Sequence, residues 1–72
     1  MRQHMNTSWK PEVLVDGEWT SNSLRFDTEL EAKASAKELM SRWITVNDGR
    51  SSQSNDPVNY RFDFKTNRNI AL

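Results

Sequence analysis

Cysteine is absent from the 72 residues, which excludes disulfide staples and thiolate sites and is compatible with a reducing compartment. Histidine occurs once, as His4 in a polar amino-terminal stretch, so no histidine triad or histidine metal cluster can be assembled within one chain. The two glycines form no phosphate-cradling loop, and "DGEW" offers too few oxygen donors for a calcium loop. Carboxylate pairs do occur, Asp16 with Glu18 and Glu29 with Glu31, but turn and helix-cap roles account for them. No catalytic residue, metal or cofactor is expected, and the chain reads as a non-enzyme. Long apolar runs are missing too. No segment approaches the roughly 18 residues of a membrane span, and "MRQHMNTS" lacks the apolar stretch of a signal peptide, so a cytoplasmic protein is expected.

An excess of either charge is also lacking: ten basic residues balance ten acidic ones. Phosphate neutralisation calls for a basic balance, so general nucleic-acid affinity is expected to be weak. The signs are unevenly spread. Glu12 to Glu31 carries six acidic residues against Arg25 alone, and from Lys33 onward seven basic residues face four acidic ones. At 35% hydrophobic content the chain supports one core, expected over residues 9–65, with flexible ends at 1–8 and 66–72.

What is present is a helix with punctuated ends. Thr28 followed by Glu31 has the spacing of a capping box, in which each side chain satisfies the other residue's backbone N–H. Asp27, Glu29 and Glu31 crowd the positive end of the helix dipole, and Arg42 lies toward the negative end. Glu29 with Lys33 and Glu38 with Arg42 add i,i+4 pairs. Ala32, Ala36, Leu39, Trp43 and Val46 draw one apolar stripe, with Met40 beside it. Asn47, Asp48 and Gly49 then read as the helix end, since glycine accepts a left-handed cap.

Both flanks of the helix read as β structure. Upstream, Asp16-Gly17 between Val13–Val15 and Glu18–Thr20 signals a two-residue hairpin of type I′, a turn that needs positive φ at both central residues. Downstream, "VNYRFDFK" alternates Val58, Tyr60, Phe62 and Phe64 with polar residues, the pattern of a strand with one buried face. A short edge strand near Arg50 to Ser54 is a weaker signal. The fold class is α+β, a small antiparallel sheet of three to four strands with one amphipathic helix on one face, ordered ββαβ or ββαββ. The expected core is Val13, Val15, Phe26, Ala36, Leu39, Trp43, Tyr60 and Phe62.

Binding is expected at the surface. A regular two-residue hairpin sets Val15 opposite Glu18 and Leu14 opposite Trp19, which places Leu14 and Trp19 away from the helix; a bulge in "TSNS" would instead reverse the register and bury Trp19. In the first case the open face carries Leu14, Trp19, Arg25, Arg61 and Lys65 as partner-binding residues, and Trp and Arg are types in which interface binding energy concentrates. The expected partner is another protein, a second copy included. In the alternative, a nucleic-acid module, Trp19 stacks on a base while Arg25, Arg61 and Lys65 meet phosphates. The small core and the absence of staples favour a homodimer, with the Val58–Phe64 strand as the edge that pairs.

Over residues 9 to 62, "DGEWTSNSLRF-T-EAKA-AKELMSRW" followed by "DPVNYRF" resembles a group of short proteins of tailed bacteriophages and prophages. The group shares a "DG-W" hairpin, a helix from "RF-T" to "RW" and a "PVNY" strand. The motifs name no chemistry and carry no functional residue across. The resemblance implies a setting, in which small phage proteins bind or inhibit host or viral proteins in the cytoplasm of the infected cell. The chain departs from the group's pattern at Asp27 and Ser35, where alanine and tyrosine are expected, and both departures are read as lying on or near the helix surface.

Overall fold

The computed structural model describes residues 7–42 and 46–72. His4 and Trp43 lie outside the described residues. The chain runs through β1 (Ser8–Val15), β2 (Glu18–Ser21), α1 (Glu29–Arg42), β3 (Val46–Ser54), β4 (Tyr60–Asp63) and β5 (Arg68–Ala71). It is an α+β fold of order ββαβββ, with the helix on a three-stranded antiparallel sheet and a separate hairpin. Strand order in the sheet is β2-β1-β3, and β4 pairs with β5. The helix packs against both, so its second side faces the hairpin.

Asp16 and Gly17 turn the chain with φ of 51° and 82°, the positive pair that a type I′ turn requires. The register is the regular one, Val15 opposite Glu18, Leu14 opposite Trp19 and Val13 opposite Thr20. Beyond β2 the segment 22–25 loops out, and Phe26 rejoins β1 by a two-way backbone bridge to Trp9, each bond 2.8 Å. Pro11 faces the gap left by this loop, which explains how a residue without an N–H sits in a central strand. A Cβ at Gly17 would meet nothing within 4 Å, so any cost of a side chain there comes from backbone conformation alone. Gly17→Val is expected to lower stability by about 1–2 kcal/mol through its positive φ, read as a lower urea midpoint; an unchanged midpoint would show that the turn makes no such demand.

The helix begins as expected and is held differently. The Thr28 hydroxyl accepts the Glu31 N–H at 3.2 Å, but the Glu31 carboxylate takes the Thr28 hydroxyl at 2.8 Å and the Phe62 N–H at 2.9 Å. Glu31 thus ties the helix start to β4, whose amide needs an acceptor once it is partly buried. Glu38 pairs with Arg42 at 2.7 Å, and Glu29 accepts from the Ser51 hydroxyl at 3.3 Å. Ser35 is not a surface position: it is buried, and its hydroxyl donates to Asn69 Oδ1 at 2.8 Å in β5. The second packed side of the helix accounts for this, because a residue off the apolar stripe still meets the hairpin.

Three other expectations are corrected. Asn47 to Gly49 belong to β3 and do not cap the helix, and Gly49 has no positive φ. Its glycine serves close approach, since a Cβ there would lie 2.6 Å from Met40 Sδ. The strand after Pro57 stops at Asp63, whose carboxylate accepts the Lys65 N–H at 2.9 Å and whose carbonyl accepts the Asn67 N–H at 2.7 Å. The Lys65 N–H foremost, with the Thr66 N–H beside it, holds the Asp63 carboxyl below its ordinary pKa. The segment expected as a mobile tail closes this turn as β5, and Phe64 is left on the turn, 56% exposed. The strand expected as a free edge pairs with β5 on one side over Tyr60–Asp63, and on its other side the Tyr60 N–H donates to the Arg25 carbonyl at 3.1 Å and the Phe62 N–H to the Glu31 carboxylate.

Val13, Phe26, Ala32, Ala36 and Phe62 are buried. Trp9, Leu24, Ala34 and Tyr60 pack against the cluster of Phe26, Ala32 and Phe62. Of the expected core, Val15, Leu39 and Tyr60 are half-buried.

Candidate functional site

Alternation along β1 separates the two faces of the sheet. Val13 and Gly49 face α1, as does Ser51 through its bond to Glu29. Lys10, Glu12 and Leu14 face the other way, opposite Ser52, Arg50 and Asp48 on β3 and, for Glu12 and Leu14, Ser21 and Trp19 on β2. Among the described residues no helix covers this open face. All four residues of β2 are exposed, and Trp19 is 37% exposed.

A chain of contacts crosses the open face. The Arg50 guanidinium carbon lies 3.9 Å from the Trp19 ring centroid, a cation–π stack. Its Nε donates to Glu12 Oε1 at 2.7 Å, and Lys10 Nζ lies 3.7 Å from Glu12 Oε2. Glu12 is only 8% exposed, so two cations over its carboxylate offset the cost of its burial. Arg50 therefore bends back over β1 to reach β2, held at both ends. Leu14, directly opposite Trp19, adds an apolar neighbour within cross-strand contact range. The face carries Lys10 and Arg50 against Glu12 and Asp48, and is neutral.

Of the five expected binding residues, the structure brings together Leu14 and Trp19. Arg25 turns inward as a clamp. Its Nε donates to Ser54 Oγ at 3.1 Å and Asp56 Oδ2 at 2.9 Å, and Nη1 donates to the carbonyls of Asn22 and Leu24. Only 14% of its side chain is exposed. The Arg25 guanidinium, aided by the Ser54 hydroxyl, holds the Asp56 carboxyl below its ordinary pKa. Arg61 is exposed on β4 opposite Ile70, and Lys65 lies in the β4–β5 turn. Both stand on the hairpin, which among the described residues packs on α1, while the Arg25 guanidinium is engaged by its own loop, Ser54 and Asp56, so the basic trio expected to meet phosphates has one member already committed.

Arg50 and Glu12 are the site residues that the sequence alone did not reveal. The signal was the opposition of Glu12 to Arg50, which becomes visible only once the register of β3 on β1 is known. Among the described residues no helix is long and apolar enough to cross a membrane. No family model, curated protein or solved structure matches the chain.

Proposed function

We propose that the chain is a small non-catalytic protein-interaction module, phage-encoded, that binds a host or viral protein through the open face of its sheet with Trp19 as the anchor. The observation that carries this reading is the Trp19–Arg50–Glu12 arrangement. An indole on a fully exposed strand is held in place by a guanidinium that is itself fixed by a carboxylate. An anchor ordered beforehand loses little side-chain entropy on docking, and Trp and Arg are the types in which truncation costs most at interfaces. A neutral face with both signs interspersed suits a mixed protein surface better than a phosphate backbone.

The test is capture from a bacterial lysate by the immobilised chain, identification of the captured protein, and titration of that purified protein by calorimetry. Trp19→Ala is expected to weaken binding at least about 30-fold, the equivalent of about 2 kcal/mol, with an unchanged circular dichroism spectrum. Arg61→Ala is expected to bind as the parent does. Equal affinity of the Trp19→Ala form would remove the reading, and capture that collapses steeply with salt and depends on nucleic acid would replace it.

A further inference from the structure

We propose that β3 pairs edge to edge with β3 of a second copy, antiparallel and centred on Ser51, joining two molecules in one six-stranded sheet. This pairing is independent of what the open face binds. The backbone alternation decides which groups are free. Asp16-Gly17 is a two-residue turn, so Val15 and Glu18 form a hydrogen-bonded pair. The two-way bond between Trp9 and Phe26 repeats the same phase at the other end of β1. Lys10, Glu12 and Leu14 therefore direct their backbone groups to β3, where Ser52, Arg50 and Asp48 meet them. Gly49, Ser51 and Gln53 are left with their N–H and C=O groups pointing away from the sheet. The Gly49 N–H fits this phase, since its acceptor is the neighbouring Asp48 Oδ1 at 2.8 Å.

Free edges are usually guarded by outward charge, proline or a bulge. Here the register shift beside Leu14 and Val15 protects only the start of β3 and leaves Asp48–Ser54 regular. The one cation of the strand, Arg50, is folded inward over Glu12 and Trp19. What flanks the outward groups is then glycine, serine and glutamine, with the Asp48 carboxylate on the Gly49 N–H as the charge at the edge. Centred on Ser51, the antiparallel register sets Gly49 opposite the second copy's Gln53 and Ser51 opposite its own counterpart. Ser51 then exchanges both backbone bonds with its counterpart, and Gly49 does so with Gln53 as its N–H passes from Asp48 Oδ1 to the second copy's carbonyl. A register centred on Arg50 would oppose two guanidinium-bearing residues, and one centred on Asp48 two carboxylates.

Shape supports the same register. Gly49, Ser51 and Gln53 share the face toward α1, and a groove of about 300 Å³ lined by Lys33, Lys37, Met40, Asp48 and Gly49 opens at this edge. Gly49 puts no side chain into it. The second copy's Gln53 lies opposite, exposed, with an amide oxygen suited to the lysine amines. Two-fold symmetry makes the contact twice and closes the assembly as a dimer.

Sedimentation equilibrium across a wide concentration range tests the pairing, with amide hydrogen exchange as the local readout. The mass is expected to rise from 8.4 kDa toward twice that value, with protection growing at Gly49, Ser51 and Gln53. Ser51→Pro removes a free N–H at the centre without touching a bond to β1, and is expected to hold the mass at 8.4 kDa. Should that variant misfold, Gln53→Lys, an exposed change that brings a third cation to the Lys33 and Lys37 groove, is expected to do the same. A parent mass fixed at 8.4 kDa, or undiminished association in both edge variants, would overturn the proposal.

Discussion

Phe26→Ala is expected to abolish the cooperative thermal transition. Phe26 is 0% exposed and sits where three parts of the fold meet. Its backbone bridges Trp9 on β1, and its ring packs with Ala32 of the helix and Phe62 of the hairpin. Tyr60 lies at a ring-centroid distance of 6.4 Å. Truncating such a phenylalanine costs about 3–5 kcal/mol, because lost transfer energy and an unfilled cavity add. A single core in a chain of this size rarely supplies more than about 3–5 kcal/mol of net stability, so one substitution removes most of it. Phe64→Ala is the control, since that ring is 56% exposed and its loss is expected to leave the melting curve nearly in place. A sigmoidal Phe26→Ala melt within a few degrees of the parent would mean that the junction of helix and hairpin is not the centre of stability.

Arg25→Lys is expected to destabilise the fold almost as much as Arg25→Ala, by about 2 kcal/mol. The guanidinium meets two carbonyls of its own loop and, across 29 and 31 residues of sequence, Ser54 and Asp56. A lysine amine is a compact point donor and cannot span that fork. Most of the loss comes from the part-buried Leu24 carbonyl and Ser54 hydroxyl, which lose their donor; the Asn22 carbonyl and the Asp56 carboxylate, 61% exposed, are rehydrated and contribute little. Urea unfolding gives the difference, and partner titration adds a second readout: once folded, the Arg25 variants are expected to bind as the parent does. A stable Arg25→Ala form with impaired binding would return Arg25 to the interaction surface.

The hairpin is legible in the sequence at its turn, because Asp16-Gly17 is a local constraint, whereas the sequence leaves open a bulge in "TSNS" that would reverse the register, and the structure shows the regular one. The helix start was legible for the same reason, Thr28 and Glu31 acting over one turn. With the alternating "VNYRFDFK" segment, those elements imply the α+β class, while the outward placement of Leu14 and Trp19 is decided by the register in the structure. β3 and β5 were not legible as strands of this length, since "VNDGRSSQS" and "RNIA" lack the apolar alternation that marks a half-buried strand. They are strands because β1 and β4 present rows of backbone donors and acceptors that must be met, a demand that overrides the capping tendency of Asn-Asp-Gly.

The binding face divides along the same line. Trp19 and Leu14 reach the face if the hairpin register is regular, a condition the sequence leaves open and the structure meets. Arg25, Arg61 and Lys65 were assigned by type and alternation, and tertiary structure decided otherwise. Arg25 met an acceptor 31 residues away, and Arg61 and Lys65 went with a hairpin that packs on the helix. Arg50 came to the face only because antiparallel pairing set it opposite Glu12, a relation between residues 38 apart. Local dihedral and capping preferences act within a few residues and can be read along the chain. Long-range partners are selected by which unsatisfied backbone and charged groups the folded elements bring face to face.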